Sequence, residues 1–190
     1  MTDAPIPELR PDAAHARLAA LRVVDVREPH EFEGPLGRVP GSTCVPRSRL
    51  AQTAFDPAEA WLVVCRSGRR SLAACEALRA RGVANVANLA GGMIAWNQSG
   101  LPIERTPLHD GASILRSLVA WLAQVGGEPV EVARGRVGAW LGELGEPFER
   151  ISPEGVELVL RRVEQTLRAR GAPDDLDLTV AAYRHDLSRR

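Results

Sequence analysis

The sequence predicts an α/β domain built on a mostly parallel sheet, followed by a small all-α region. Three observations carry this. Short valine-rich runs alternate with helical patterns over the first hundred residues. One run, Trp61 to Cys65 (WLVVC), is apolar at every position, which is the pattern of a strand buried on both faces. After a polar, turn-rich stretch at 105–111 (RTPLHDG), only helical spacing remains.

In chain order, Pro11 to Ala20 reads as a short amphipathic helix with proline near its start. Arg22 to Val26 (RVVDV) is a strand, and Thr43 to Val45 is a shorter one closed by Pro46. Trp61 to Cys65 is the buried strand. Ser71 to Arg81 is a helix ended by Gly82. Val83 to Leu89 contains the last strand, and Met93 to Gln98 is a short helix. Beyond the break, Ile114, Leu115, Leu118, Val119, Trp121, Leu122 and Val125 fall at helical spacing between Ser113 and Val125. Val137, Trp140, Leu141 and Leu144 mark a second helix. Ser152-Pro153 is a helix start, with serine as cap and proline at the first turn, and the face Val156, Val159, Leu160, Val163, Leu167 runs on towards Gly171. A fourth helix falls within Asp174 to Leu187. The division expected is a sheet domain over 1–105, a linker over 106–111 and a helical region over 112–190, the last resembling a small bundle.

Composition narrows the function. The 190 residues carry 24 basic and 24 acidic side chains, and every basic one is arginine. A neutral chain lacks the cationic excess of a nucleic-acid-coating protein, and residues 111–190 alone hold 11 arginines against 12 acids. Without lysine there is neither Schiff-base chemistry nor a P-loop lysine. Three cysteines at irregular spacing argue against a disulfide scaffold or a zinc site. The start, Met1 to Arg10, has no apolar core of a signal peptide, and Ile114 to Val125 is too short to span a bilayer, so the expected compartment is the cytoplasm.

The chemistry concentrates at Cys65-Arg66-Ser67-Gly68-Arg69-Arg70-Ser71. A cysteine ends a strand of a parallel sheet, where such sheets bind ligands. The following loop leads into a helix, so its amides can turn inward as an anion nest. The helix dipole and three guanidiniums favour a thiolate, and Gly68 gives the loop freedom to wrap. The site suits a nucleophilic sulfur that also receives an anionic donor, and it requires that sulfur to be open to solvent. A small buried apolar cysteine is the plainer alternative.

The surrounding segments resemble a single-domain rhodanese, a sulfurtransferase. The likeness rests on Val24-Asp25-Val26-Arg27-Glu28, on Gly37-Arg38-Val39-Pro40-Gly41-Ser42, on the Cys65–Ser71 loop, and on Leu89-Ala90-Gly91-Gly92-Met93-Ile94-Ala95-Trp96 with Gly100-Leu101-Pro102. It covers a little over half the chain. The chain has Arg38 where many members carry histidine. The resemblance implies a five-stranded parallel sheet with helices on both faces. It also implies two-step sulfur transfer: Cys65 takes a sulfane sulfur from an anionic donor such as thiosulfate, then passes it to cyanide, a thiol or a protein. Cys65 would be the catalytic residue, Arg66, Ser67, Gly68, Arg69, Arg70 and Ser71 the donor-binding loop, and no metal or cofactor would be needed. Cysteine phosphatases place arginine after five intervening residues. Here that position is Ser71 and Arg70 lies one place early, which argues against phosphatase or arsenate reductase chemistry.

Asp25 and Arg27 read either as support for the loop or, with more weight, as an internal ion pair. Gly91-Gly92 and Trp96 read as a tight turn and a core residue beside it. Cys75 and Cys44 read as packed core cysteines rather than resolving thiols. His15, His30, His109 and His185 are scattered and receive no role. The helical region is most simply a private core or a lid on the sheet domain. Its alternative is self-association or docking of a protein acceptor through 112–190, with Trp121, Trp140 and Phe148 as anchors if exposed. In that case the protein is a sulfur-relay or sensory adaptor rather than a free-turnover enzyme.

Overall fold

Valine and leucine runs pack side by side in the first part of the chain because a parallel sheet buries both of its faces. The computed structural model describes residues 4–108 and 110–188. His109 lies outside the described residues. The chain divides into two units, Met1–Arg105 and Thr106–Arg190.

The first unit runs β1 (Glu8–Leu9), α1 (Pro11–Ala16), β2 (Arg22–Asp25), α2 (Pro29–Phe32), β3 (Thr43–Cys44), β4 (Trp61–Val64), α3 (Arg69–Ala80), β5 (Val86–Leu89) and α4 (Gly92–Gln98). Five parallel strands lie in the order β1-β5-β4-β2-β3. Alternation along the strands divides the core. Val24, Val26, Val63, Cys65 and Val86 cluster with Ala74, Cys75 and Leu78 of α3. Val23, Leu62 and Val64 point the other way and are also buried. Helices α1 and α4 pack on one another, with Ala14, Met93 and Trp96 fully buried. The Trp96 indole N–H donates to Pro102 O at 2.8 Å, and the His15 ring meets Trp96 edge-on at 5.9 Å.

Several element bounds differ from expectation, each for a local reason. The span read as one helix from Pro11 to Ala20 ends at Ala16 and continues as a 3₁₀ turn at Leu18–Ala20. Helix α3 begins at Arg69, not Ser71, because Gly68 at φ 88° turns the chain directly into it. Strand β1 and helix α2 are absent from the sequence reading: two and four residues are too few to show a period.

The second unit holds α5 (Gly111–Gly126), α6 (Val130–Leu144), α7 (Pro153–Ala169) and α8 (Leu176–Leu187). Helix α5 starts inside the stretch expected to be linker, because the Asp110 carboxylate caps it by accepting from Ser113 N–H at 2.7 Å. Ser152 caps α7 with Pro153 in the first turn, as the sequence indicates, and accepts from Gly155 N–H at 3.0 Å. Ile114, Leu118, Leu122, Val137, Leu141, Val156, Val159, Leu160, Val163, Val180 and Tyr183 form the core. Trp121, considered above as an exposed anchor, is buried in that core and donates to Asp175 Oδ2 at 3.1 Å. Trp140 and Phe148 are half-buried against it. Among the described residues no helix is long and apolar enough to cross a membrane.

Arg184 of α8 holds Glu157 and Glu164 of α7 at 3.0 and 2.7 Å, and Arg161 reaches Glu157 at 3.0 Å. Hydrogen bonding from Arg184, then from Arg161, keeps the Glu157 carboxyl below its ordinary value of 4.5. A carboxyl lowered in the folded state contributes stability above its unfolded value and loses it as acid protonates the folded form. Thermal unfolding scanned from about pH 6 to pH 3 is expected to show the wild-type Tm falling faster than that of Glu157→Gln once the pH drops below 4.5.

Candidate functional site

The sheet order reverses between β2 and β4, because β2 leads on to the β3 edge and β4 leads on to β5. Open α/β sheets bind ligands beyond the carboxyl ends of strands at such a switch point. Asp25 ends β2 opposite Val64, and Cys65 follows Val64 directly.

Loop 65–68 curls over its own cysteine. The Cys65 Sγ accepts from Gly68 N–H at 3.2 Å, and the Ser71 hydroxyl lies 3.2 Å away. That hydroxyl also faces Gly68 O at 3.1 Å and Asn88 Oδ1 of β5 at 2.6 Å. Two amides at the start of α4 grip the loop from the other side: Met93 N–H donates to Cys65 O at 2.9 Å and Ile94 N–H to Arg66 O at 3.1 Å. This approach requires glycine at 92. A Cβ there would sit 2.4 Å from Cys65 O and 2.7 Å from Arg66 O, and φ is +58°. Gly68 is matched to it, since a Cβ at 68 would meet Gly91 N at 3.0 Å. The Gly-Gly pair read as a turn device is therefore a wall of the cysteine loop.

Cys65 is 0% exposed. The sequence reading expects an open nucleophile, and the structure corrects it. The loop backbone and the start of α4 close over the sulfur because carbonyls 65 and 66 find their hydrogen-bond donors there. Around it, Gly68 and Ser71 are buried, Arg66 and Arg70 are half-buried, and Ser67 and Arg69 are exposed.

The three loop arginines do not act as one anion-binding group. Arg70 is held by Glu31 of α2 through two bonds, 2.7 Å to Oε2 and 2.6 Å to Oε1. Hydrogen bonding to Glu31 raises the Arg70 pKa, so this cation is permanently charged and already paired. Neither Glu31 nor Asn88 enters the sequence reading. Asn88 carries a faint signal, a polar side chain within an otherwise apolar strand, whereas the Glu31 pairing spans 39 residues and leaves none.

Asp25 and Arg27 form the internal ion pair. The Arg27 guanidinium forks onto Asp25, with Nε 2.9 Å from Oδ1 and one terminal nitrogen 2.6 Å from Oδ2. Its remaining donors reach Glu31 O at 3.1 Å and Gly37 O at 2.7 Å. The pair thus braces the segment carrying Glu31, and through Glu31 it reaches Arg70. Arg38 takes its place nearby by pairing with Glu33 at 3.1 Å and Glu104 at 3.4 Å over the Phe32 ring.

The other two thiols differ from each other. Cys75 is fully buried in the α3 core, and burial pushes it up to about 12, so it holds its proton at neutral pH. Cys44, expected to be packed, is only half-buried. It borders a cavity of about 400 Å³ with Glu28, Phe32, Glu33, Pro46 and Arg49, because β3 is a two-residue edge strand. Burial and then Asp25 raise its pKa. Among the described residues no three His, Cys, Asp or Glu side chains gather as a metal site.

Residues 10–99 match the model of the rhodanese-like domain. A sulfurtransferase of Allochromatium vinosum is 38% identical over 85 residues, which cover 43% of this chain and 76% of that protein. An uncharacterized protein of Synechocystis sp. is 40% identical over 89 residues, 46% of this chain; the matched part spans about half, 49%, of that relative. Among solved structures, a rhodanese-related protein of Thermoplasma volcanium shares 28% identity with a TM-score of 0.49, covering 53% of this chain and 99% of its own.

Two substitutions test the architecture of the site. Gly92→Ala forces a side chain into the carbonyls of Cys65 and Arg66, and a loss of about 1–3 kcal/mol in urea unfolding is expected. Asp25→Ala leaves the Arg27 charge, 1% exposed, without its carboxylate. A larger loss of about 3–5 kcal/mol is expected by the same measurement.

Proposed function

The chain belongs to the rhodanese family, and from that premise we propose that it is a sulfurtransferase carrying sulfane sulfur as a persulfide on Cys65. The observation that supports this most directly is the Cys65 Sγ at the end of the central strand, within 3.2 Å of both the Gly68 amide and the Ser71 hydroxyl. The Gly68 amide, an oriented donor, stabilises charge on the sulfur without reorganising.

The chemistry balances in two displacements. With thiosulfate as donor, the Cys65 thiolate attacks the outer sulfur. A new S–S bond forms, the bond to the sulfonate sulfur breaks, and sulfite leaves with the electron pair. The persulfide anion then yields its outer sulfur to an acceptor, cyanide or a thiolate, and the Cys65 thiolate is regenerated. Neither displacement needs a metal or cofactor. Arg69, exposed at the rim, and Arg66, half-buried beside it, are placed to draw an anionic donor inwards. Arg70 serves differently, as the strut that ties the start of α3 to Glu31.

Burial of Cys65 makes loop opening part of the reaction, because the donor must reach a sulfur covered by residues 66–68 and the start of α4. The same burial favours a second reading, the sulfur-relay or sensory adaptor. A partner protein docked through 112–190 would supply or withdraw the sulfur, and turnover with small donors alone would be slight.

The test is incubation with thiosulfate followed by peptide mass spectrometry. A gain of about 32 Da on the peptide containing Cys65 is expected, with none on the Cys44 or Cys75 peptides. Cys65→Ala is expected to abolish both that gain and thiocyanate formation with cyanide. Unchanged turnover by Cys65→Ala would refute the proposal.

A further inference from the structure

The Ser71 hydroxyl has one proton and three acceptors around it: Asn88 Oδ1 at 2.6 Å, Gly68 O at 3.1 Å and Cys65 Sγ at 3.2 Å. A hydroxyl cannot donate to all three at once. The shortest of these contacts, to Asn88, takes the proton away from the sulfur. Asn88 is 2% exposed, so water does not substitute for it. Its side chain is an amide, with an acceptor at one end and a donor at the other.

We propose that Asn88 is a positioning residue that acts through Ser71 to govern the charge state of Cys65; this rests on Cys65 being the sulfur-carrying residue. With Oδ1 turned to Ser71, as in the structure, the hydroxyl proton goes to Asn88 and the site suits a neutral thiol. With the amide rotated by half a turn, Nδ2–H donates to the Ser71 oxygen. The hydroxyl proton is then released towards Sγ, and the site suits a thiolate or persulfide anion. An asparagine thus serves both a protonated resting thiol and the charged thiolate and persulfide of the reaction. A carboxylate would lock the first state, since it can only accept. Charged and titratable groups around Cys65 include Arg66, half-buried, and Arg69, exposed; Arg70 in the first turn of α3, neutralised by Glu31; Asp25 at the end of the neighbouring strand, paired with Arg27; and Cys75 further along α3, which stays protonated.

The experiment follows the isotope-labelled Cβ signal of Cys65 in the full-length chain, which reports its thiolate fraction at fixed pH without needing turnover. Asn88→Asp and Ser71→Ala are each expected to lower that fraction about tenfold. Asn88→Asp introduced on top of Ser71→Ala is expected to add a clearly smaller loss, the part due to the carboxylate's own charge. Ser71→Thr, which keeps the hydroxyl, is expected to stay within twofold of wild type. If Asn88→Asp does not fold, Asn88→Leu takes its place: without the competing acceptor the Ser71 proton is left to Gly68 O and Sγ, so a gain of about threefold is expected when Ser71 is present and no change when it is alanine. Equal changes in both backgrounds would show that position 88 acts on the sulfur directly through space, and would overturn the proposal. So would an unchanged thiolate fraction in the single variants. Persulfide formation measured on the same samples separates the two readings. Coupling without any persulfide refutes the sulfurtransferase assignment alone, and persulfide without coupling refutes the role of Asn88 alone.

Discussion

Two peptide amides, those of Met93 and Ile94, decide the shape of everything around Cys65. By donating to the carbonyls of Cys65 and Arg66 they pull the loop flat against the start of α4. A backbone carbonyl buried without a partner is costly, so these bonds are an accounting requirement of the fold as well as a feature of the site. They dictate glycine at 92, where a Cβ would meet backbone at 2.4 Å. They also leave Gly68 facing Gly91, which lets the chain reverse into α3 with its amide directed at the sulfur. The cradle is therefore made by the meeting of two strand-to-helix turns, one after β4 and one after β5, and neither forms it alone.

The electrostatics of the first unit follow a chain of pairs: Asp25 to Arg27, Arg27 to the carbonyl of Glu31, and the Glu31 carboxylate to Arg70. It links the ends of β2 and α2 to the start of α3. Arginine suits each position because its planar fork can satisfy two acceptors at once, which an ammonium does less specifically. The use of Arg70 as a strut takes one of the loop's three cations into a pair with Glu31.

The sheet, four of its five strands in chain order and the helical character of the C-terminal unit were legible because they rest on short-range patterns. WLVVC is apolar throughout, Ser152-Pro153 is a local helix start, and Gly82 stops a helix where it stands. The cysteine loop was legible for the same reason, as a strand end, a glycine and a helix within seven residues. What escaped was long-range or very short. Strand β1 has two residues and is defined only by its pairing with β5. Glu31 and Asn88 reach the loop across 39 and 17 residues, through side chains whose neighbours give no hint of the contact. Burial of Cys65 was illegible too, because it depends on how closely α4 approaches, a distance set by the missing side chain of Gly92. Trp121 shows the converse: an aromatic at helical spacing is a core residue as readily as an anchor, and its indole finds Asp175 54 residues away.

A thiol's susceptibility to peroxide and other oxidants depends on its thiolate character and on its exposure. The closed loop removes the second of these while the protein is at rest. A sulfur that must be uncovered before it reacts is also shielded from over-oxidation between turnovers, the fate from which sulfinic and sulfonic acids do not readily return. Under the proposed sulfur transfer, the packing that slows the entry of a donor would also lengthen the working life of the residue it covers.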